Sequence, residues 1–127
     1  TLDVRQAHTL RERYKTGHHQ TLIVIDEFQF FEDEAYIEVI NELAAEGHGV
    51  VVSGLDLTSE LTTFGLMPNI MCYADDVYKL KGQCGKCKAP SPSIFTYADF
   101  EKTGDVAIEG EGNKYIPVCR KCYVKHK

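Results

Sequence analysis

Short apolar runs and one stretch of helical periodicity dominate the first half of the chain. The run Leu22–Ile25 is apolar at every position and predicts a strand buried on both faces, and Val50–Val52 predicts a second buried strand. Between them, residues 32–47 predict a helix with Asp33 as N-cap and Gly47 as stop. Its apolar positions at helical spacing are Ile37, Ile40, Leu43 and Ala44. Strand, helix and strand in this order form a βαβ unit, so the two strands are predicted to be parallel.

The rest of the chain carries weaker patterns. A polar helix is predicted around Asp3–Tyr14 and a third strand at Val77–Leu80. Residues 57–76 are rich in Thr, Ser, Gly, Pro and Asn, so we expect an irregular path with one short helical piece. Gly, Pro, Lys and Ser become frequent after Lys81. The sequence therefore predicts an α/β part at residues 1–81 and a small module at residues 82–127.

Composition and charge narrow the class of protein. The apolar fraction of 43% and the charged fraction of 26% are those of a soluble globular domain. A formal net charge of −5 argues against a nucleic-acid partner, because nucleic-acid-binding proteins are usually basic. No apolar run approaches the roughly 20 residues that cross a bilayer, so no membrane partner is expected. Residues 114–127 are locally basic and are predicted to form a solvated tail, and the lack of an initiator Met suggests a piece of a longer chain.

Four of the five cysteines form two C-x-x-C pairs, Cys84 with Cys87 and Cys119 with Cys122. Four thiolates at this spacing favour a closed tetrahedral zinc site with a structural role. A redox dithiol or two surface disulfides are the alternatives. The matched pairs and the lack of a secretion signal favour zinc and a reducing, cytoplasmic environment. The fifth cysteine, Cys72, is expected to be a small buried apolar side chain.

Two acids follow the first apolar run directly, in the string TLIVIDEFQFF at residues 21–31. Ligands of parallel α/β sheets gather at the carboxyl ends of strands, so Asp26 and Glu27 are well placed for chemistry. Asp26 could help to hold Mg²⁺, while Glu27 could accept a proton from a substrate hydroxyl. An acidic cap on a strand-to-helix turn explains the same two residues equally well.

An amide between aromatic side chains follows the acids, in the order Phe28, Gln29, Phe30, Phe31. The planar amide of Gln29 can both donate and accept hydrogen bonds, which suits the edge of a pyrimidine, and the neighbouring rings could stack on that base. A packed Phe cluster with a capping Gln is the alternative.

The segment between the two cysteine pairs is rich in glycine and includes the string DVAIEGEGNKY at residues 105–115. Val106 and Ile108 alternate with other residues as at the edge of a hairpin. Exposed backbone groups at such an edge could hold a polar ligand by main-chain hydrogen bonds. Equally, this segment could only connect the two arms of the zinc module.

Taken together, these motifs resemble the thymidine kinases of the cellular, tetrameric type. The matching strings are IDEFQFF (25–31), GLD (54–56), FG (64–65), VYKL (77–80), the first C-x-x-C pair and KYIPVCRKCY (114–123). The resemblance covers the chain from about Leu22 to Lys127. It implies an α/β fold with a P-loop-type parallel sheet core, incomplete in this chain, and a small zinc-binding lasso domain.

The resemblance also implies an activity, the ATP-dependent phosphorylation of the 5′-hydroxyl of thymidine to dTMP in nucleotide salvage. Glu27 would be the catalytic base, and Asp26 would be the Walker B acid near the Mg²⁺ that accompanies ATP. The nucleoside site would contain Gln29, Phe30, Leu55, Phe64, Thr96, Val106, Ile108, Gly110 and Tyr115. Structural zinc would be bound by Cys84, Cys87, Cys119 and Cys122. Thymidine and ATP would be the partners of a cytoplasmic homotetramer.

Two features depart from the family pattern. After GLD the family reads G-T-F-x-R-x-P-F-G, whereas here Ser59 stands at the first aromatic position and Leu61 at the basic position. This weakens one wall of the nucleoside pocket and removes a positive charge. The family's G-x-x-x-x-G-K-[ST] string, whose backbone and Lys cradle the triphosphate, does not occur in these 127 residues. The isolated chain is therefore expected not to transfer phosphate from ATP.

Three hypotheses stay open on the sequence alone. The first is a thymidine kinase whose P-loop lies outside these residues. The second is a catalytically inactive relative that binds a nucleoside or regulates a partner, as the changes at Ser59 and Leu61 suggest. The third is a zinc ribbon fused to a small α/β platform, which explains the cysteines but gives no reason for the string DEFQFF.

Overall fold

The computed structural model describes residues 7–14, 19–88, 92–93, 95–98 and 115–126. The chain divides into two compact units. The N-terminal unit comprises Thr1–Asp56 and Thr63–Val77, and the C-terminal unit comprises Leu57–Thr62 and Tyr78–Lys127. Each unit has a hydrophobic core of its own among the described residues.

The N-terminal unit is built on two parallel strands with a helix between them in sequence. Strands β1 and β2 pair in parallel from Leu22 opposite Gly49 to Ile25 opposite Val52, which confirms the predicted βαβ unit. The bounds of its elements are α1 Ala7–Arg13, β1 Leu22–Ile25, a 3-10 turn at Phe28–Phe30, α2 Ala35–Ala45, β2 Gly49–Val52 and α3 Met67–Tyr73. Helix α3 is the short helical piece predicted within residues 57–76.

Helix α2 lies within the predicted residues 32–47, and Glu34 rather than Asp33 directly precedes it. The Asp33 carboxylate accepts the backbone N–H of Ala35 at 3.0 Å, which satisfies one of the amides at the start of the helix. At the other end, Gly47 adopts a φ of 98°, a conformation that glycine reaches without steric cost. The N–H groups of Gly47 and His48 donate to the carbonyls of Ala44 and Leu43 at 3.0 and 3.1 Å. This is a Schellman motif, which stops the helix and turns the chain towards β2.

Only one face of the β1–β2 sheet is buried among the described residues. Ile23 and Ile25 point into a core that helices α1 and α2 also supply with side chains. Leu22, Val24 and Val51 lie on the other face and are at least half exposed. The prediction that Leu22–Ile25 is buried on both faces is therefore wrong for this part of the chain. Successive strand side chains point to opposite faces, and the helices of the described core pack against one of them.

The carboxylate of Asp33 joins two helices, because it also accepts the backbone N–H of Ala7 at 3.0 Å. The hydrogen bonds from Ala7 and then Ala35 lower the pKa of Asp33 below its ordinary value of 3.8. A carboxyl group whose pKa is depressed by folding stabilises the fold above its unfolded pKa. That stabilisation is lost as the pH falls through the folded pKa.

Replacing Asp33 by Asn is expected to lower the melting temperature at pH 7, because the neutral amide accepts these N–H groups less strongly than a carboxylate. The difference from the parent protein should shrink as the pH falls below 3.8 and through the lowered pKa of folded Asp33, where this carboxyl group itself becomes protonated. Thermal melts at a series of pH values measure this difference. A difference that is the same at every pH would contradict the assignment.

The described residues of the C-terminal unit form two short antiparallel strand pairs and a helix. Strand β3 pairs with β4, and β5 pairs with β6. The bounds are β3 Gly82–Gln83, β4 Pro92–Ser93, β5 Phe95–Ala98, β6 Tyr115–Val118 and α4 Arg120–His126. Val118 and Tyr123 are buried in the core of this unit. The prediction that residues 114–127 form a solvated tail is therefore wrong, because this stretch supplies a strand, a helix and part of a core.

Two further expectations are wrong for the described residues. Residues 77–80 form no strand, and Val77, Tyr78 and Leu80 are exposed, because no neighbouring strand of the described chain pairs with this segment. Cys72 is exposed on helix α3 rather than buried. Among the described residues, no helix combines the length and the apolar character that spanning a membrane requires.

Candidate active site and metal centre

The acid pair lies at the carboxyl end of strand β1. The Ser53 N–H donates to the Ile25 carbonyl at 2.8 Å, and the Phe28 N–H donates to the Ser53 carbonyl at 3.1 Å, so the pairing continues past the ends of β1 and β2. Asp26 and Glu27 lie between these two hydrogen bonds, and both are exposed. The strand end therefore fixes the backbone of two carboxylates and leaves their side chains accessible.

Glu27 has an unusual backbone conformation for a residue with a side chain. Its φ of 56° and ψ of 40° lie in the left-handed region, which side chains other than those of Asn and Asp seldom occupy. This conformation lets the chain turn from β1 directly into the 3-10 turn, where the Phe30 N–H donates to the Glu27 carbonyl at 3.1 Å. Strained residues of this kind cluster at functional sites, so the conformation supports a special role for Glu27.

Ser53 holds the other acid. Its hydroxyl donates to Oδ1 of Asp26 at 2.5 Å, and the same oxygen accepts the backbone N–H of Glu27 at 2.9 Å. Sequence analysis did not identify Ser53 as a site residue. The signal was available, because Asp26 and Ser53 each directly follow strands that pair in parallel with Ile25 opposite Val52.

Gln29 lies beneath the acid pair and is almost fully buried, with 3% of its surface exposed. Its Nε2 donates to Oε2 of Glu27 at 2.5 Å, and its Oε1 accepts the backbone N–H of Leu55 at 3.0 Å. The amide thus joins the turn that follows β1 to the segment that follows β2.

Two glycines, which have no side chain, provide the space that Gln29 occupies. A Cβ atom on Gly54 would lie 2.5 Å from Oε1 of Gln29 and 2.8 Å from Sδ of Met67. A Cβ atom on Gly65 would collide with the backbone carbonyl oxygen of Gln29, and Gly65 also has a φ of 55°. Both glycines are therefore needed for packing around the Gln29 position.

Replacing Gly65 by Ala is expected to destabilise the protein by about 1–3 kcal/mol, because the new methyl group meets rigid backbone and the positive φ strains any residue with a Cβ. Urea unfolding of the two proteins measures the difference. Gly49 provides a matched control, because a Cβ there meets only the end of the exposed Leu22 side chain. Equal losses for Gly65→Ala and Gly49→Ala would contradict the packing argument.

Four of the residues predicted around the nucleoside come together in the N-terminal unit. Phe30 and Phe64 contact each other edge to face, with ring centroids 5.5 Å apart. Phe64 is anchored by its backbone N–H, which donates to the Asp56 carbonyl at 2.9 Å. Leu55 is about half exposed, and Gln29 bonds to its backbone. The structure therefore places these residues near the acid pair, and their contact with a nucleoside stays a prediction.

The other predicted nucleoside residues belong to the C-terminal unit or lie outside the described residues. Thr96 is in β5 and Tyr115 is in β6, where the pairing sets Thr96 opposite Pro117 and Ala98 opposite Tyr115. Val106, Ile108 and Gly110 lie outside the described residues, as does the predicted hairpin edge.

The two departures from the family pattern, Ser59 and Leu61, lie in the loop Leu57–Thr62 of the C-terminal unit. The Ser59 carbonyl accepts the hydroxyl of Tyr123 at 2.5 Å. Leu61 has a φ of 62°, which is rare for a branched side chain. In this loop, Ser59 is therefore tied to helix α4 through its backbone rather than through its side chain.

The four paired cysteines converge on one point of the C-terminal unit. The Sγ atoms of Cys84, Cys87, Cys119 and Cys122 all lie within 4.8 Å of one another. Four thiolates around one zinc ion at a Zn–S distance of about 2.3 Å would be about 3.8 Å apart, so this cluster fits such an ion after a small contraction. The cluster could therefore bind a metal such as zinc, as the spacing of the cysteines predicted.

The thiols of this cluster have different environments. Cys84 accepts the backbone N–H of Cys87, and this hydrogen bond is the main reason why the pKa of the Cys84 thiol is lowered, since it favours the thiolate. Burial raises the pKa of the Cys122 thiol, and hydrogen bonds among the neighbouring cysteines add to that rise. A metal ion would displace these shared protons and bind all four sulfur atoms, because thiolates are the form that binds metals.

The fold and the two sites define a class of protein, an α/β protein with an exposed acid pair at a parallel strand end and a separate four-cysteine cluster. A family model described as thymidine kinase matches residues 2–123. Because this match covers most of the chain, the chain belongs to the thymidine kinase family. The family named by the sequence motifs is thereby confirmed.

Individual relatives carry the same description. A thymidine kinase of Mycoplasma mobile is 40% identical over 103 residues, which cover 81% of this chain and 50% of the relative. One of Porphyromonas gingivalis is 39% identical over 105 residues, which cover 82% and 49%. One of Bacteroides thetaiotaomicron is 36% identical over 104 residues, which cover 82% and 50%. The chain thus spans about half the length of the curated relatives that it matches.

Proposed function

We propose that this protein is a thymidine kinase that transfers a phosphoryl group from ATP to the 5′-hydroxyl of thymidine. The observation that carries the proposal is the conformation of Glu27, an exposed carboxylate held at the carboxyl end of a parallel strand. Catalysis of phosphoryl transfer is mostly positioning and charge stabilisation, together with a group that accepts the proton of the nucleophile. Family membership and the names of the relatives support this reaction.

In this proposal the two acids have separate roles. Glu27 accepts the proton of the 5′-hydroxyl as its oxygen bonds to the γ-phosphorus of ATP, and the bond from that phosphorus to the β–γ bridging oxygen breaks to release ADP. Asp26 takes the position of a Walker B acid, which helps to hold the Mg²⁺ that accompanies ATP. Ser53 supports this role, because its hydroxyl binds Oδ1 of Asp26 and Oδ2 would be the oxygen that holds a hydrated ion. Mg²⁺ would neutralise the charge that develops on the transferred phosphoryl group.

We further propose that thymidine lies against the aromatic and apolar residues near the acid pair. Phe30, Phe64 and Leu55 offer exposed or half-exposed surface on which a base could stack. The proposed nucleoside site also contains Thr96, Val106, Ile108, Gly110 and Tyr115, and Gln29 lies at its border. Residues 1–81 would be part of the nucleotide-kinase core, and residues 82–127 would be the lasso domain.

We propose zinc as the ion of the cysteine cluster and a structural role for it. Four sulfur ligands fill the tetrahedral coordination of Zn²⁺ and leave no position for a substrate. A protein with this thiol cluster is suited to a reducing compartment, which supports a cytoplasmic location. The assembly proposed from the family resemblance is a homotetramer.

A second candidate function is a nucleoside-binding or regulatory relative without catalysis. The changes at Ser59 and Leu61 favour it, because they alter a stretch that the family resemblance assigns to the pocket wall. The G-x-x-x-x-G-K-[ST] string does not occur in the 127 residues, so we propose that this chain by itself does not turn over ATP.

One assay separates these candidates. The source protein, purified at its natural length, is incubated with MgATP and thymidine, and dTMP is measured by chromatography beside a deoxycytidine control. Formation of dTMP at a rate that saturates with thymidine supports the kinase. Saturable thymidine binding in calorimetry without dTMP formation supports the inactive relative. Transfer by the 127-residue chain alone would show that these residues contain a phosphate site of another kind.

A further inference from the structure

The amide of Gln29 has an orientation that its neighbours determine. A backbone N–H can only donate, so the atom that faces Leu55 must be the amide oxygen. An ionised carboxylate can only accept, so the atom that faces Glu27 must be the amide nitrogen. Both assignments agree, and each end of the amide therefore has a partner of the required kind.

These contacts join two segments that are distant in sequence. Glu27 follows β1 and Leu55 follows β2, and Gln29 bonds to both from a position that is 3% exposed. Gly54 approaches the amide so closely that a methyl group there would meet Oε1 of Gln29, and Gly65 approaches the backbone carbonyl of the same residue. The two glycines thus leave room for the Gln29 backbone and for its amide oxygen.

We propose that Gln29 is a positioning residue that holds the Glu27 carboxylate for proton transfer by tying it to the Leu55 backbone. The inference rests on the proposed function, because it assigns Gln29 a task in the same reaction. It differs from a role in which Gln29 reads the edge of the base, because both ends of the amide are engaged within the protein.

The physical reason is the freedom of an exposed Glu side chain. The Glu27 backbone is fixed at the strand end, but its carboxylate is exposed and has three side-chain torsions to sample. A hydrogen bond from Gln29 to an ionised oxygen is roughly twice as strong as one between neutral groups. It engages Oε2, so a substrate hydroxyl would approach Oε1. A displacement of about 1 Å in such a group can cost on the order of 100-fold in rate.

Two substitutions distinguish the two hydrogen bonds of the Gln29 amide, which are its Glu27 arm and its Leu55 arm. Gln29→Glu keeps the size of the side chain and an oxygen for the Leu55 N–H, but it sets a second carboxylate against Glu27. When both carboxylates are ionised, they repel each other and Glu27 loses its fixed position, whereas a protonated acid at position 29 would still donate a hydrogen bond to Glu27. The kinetics of this variant are therefore measured over a series of pH values. Gln29→Met removes both arms and keeps an unbranched side chain of similar length.

The experiment combines steady-state kinetics with hydrogen exchange on the source protein at its natural length. We expect Gln29→Met to lower kcat for thymidine by about tenfold or more, and Gln29→Glu to do so once its new carboxyl group is ionised, while KM for thymidine changes by less than about threefold. Exchange at the Leu55 amide should accelerate in Gln29→Met and stay close to that of the parent protein in Gln29→Glu. This split between the two variants is a readout that a loss of general stability would not produce.

Other results would overturn the inference in distinguishable ways. A rise in KM with unchanged kcat would make Gln29 a nucleoside contact rather than a positioning residue. Equal exchange at the Leu55 amide in Gln29→Met and in the parent protein would show that the Leu55 arm does not protect this amide. That result would contradict the proposed tie to the Leu55 backbone. A source protein that forms no dTMP, while Leu55 exchange follows the expected split, would overturn the proposed function and leave Gln29 a purely structural residue.

Discussion

Replacing Glu27 by Gln is expected to lower kcat for thymidine phosphorylation by about 10²–10⁴-fold, with little change in nucleoside binding. An amide oxygen cannot take the 5′-hydroxyl proton at neutral pH, so the attacking oxygen would have to lose it to water. The substitution keeps the size of the side chain and an oxygen that can accept from Nε2 of Gln29. The loss should therefore come from chemistry rather than from folding.

Steady-state kinetics and calorimetry with thymidine measure the two parts of this expectation. Glu32→Gln is the matched control, because it removes an exposed carboxylate from the same turn region outside the proposed site. A kcat within about threefold of the parent protein in Glu27→Gln would exclude Glu27 as the base. A large loss of thymidine affinity instead would assign Glu27 to substrate binding.

Removing the metal is expected to unfold the C-terminal unit. Its described core is small, and three of its buried residues, Cys84, Cys119 and Cys122, belong to the cysteine cluster. Structural zinc contributes apparent free energies of about 10–16 kcal/mol in zinc-finger peptides, so a zinc ion would be a large part of what stabilises this unit. Chelation, or substitution of Cys119 by Ser, should therefore expose β5, β6 and α4 to protease.

Metal analysis, far-ultraviolet circular dichroism and limited proteolysis test this result together. The protein as purified should contain one zinc ion per chain, and chelation should lower both the metal content and the resistance of the C-terminal unit to protease. Cys72→Ser is the matched control, because Cys72 is exposed on helix α3 and lies outside the cluster. Unchanged circular dichroism and protease resistance after complete metal removal would rule out a structural role for the ion.

The parts of the fold that depend on local sequence could be predicted. The apolar runs gave β1 and β2, and the parallel pairing followed because a helix of sufficient length lies between them. The bounds of α2 could be read from Asp33 and Gly47, whose side chain and backbone satisfy the ends of the helix. For α2 the deciding interactions lie within a few residues of one another, and for each strand the signal is the composition of one short run.

Features that depend on distant partners were missed. The pairing of β5 with β6 joins Phe95 to Val118, and apolar periodicity does not show which segments meet across such a distance. Residues 77–80 have the composition of a strand but no partner in the described chain, and strand propensity counts for little without one.

The candidate site shows the same division between local and distant information. The position of Asp26 and Glu27 at a strand end could be predicted, because it follows from one apolar run. The partner of Asp26 could not be predicted as readily, because Ser53 reaches it from the end of the neighbouring strand. The four-cysteine cluster was predicted because metal-ligand spacing is itself a sequence signal that ties distant segments together.

The exposed side of the β1–β2 sheet bears on the solubility of these residues. Val24 and Val51 are directly paired across the two strands, and Leu22 lies on the same face two residues before Val24. Together they form a continuous apolar strip, whereas parallel sheets are usually covered on both faces. Contact between the strips of two copies removes apolar surface from water and so favours association. Repulsion between copies with a formal net charge of −5 opposes this association only weakly at physiological salt. The solubility of these residues is therefore expected to rise when that strip is covered.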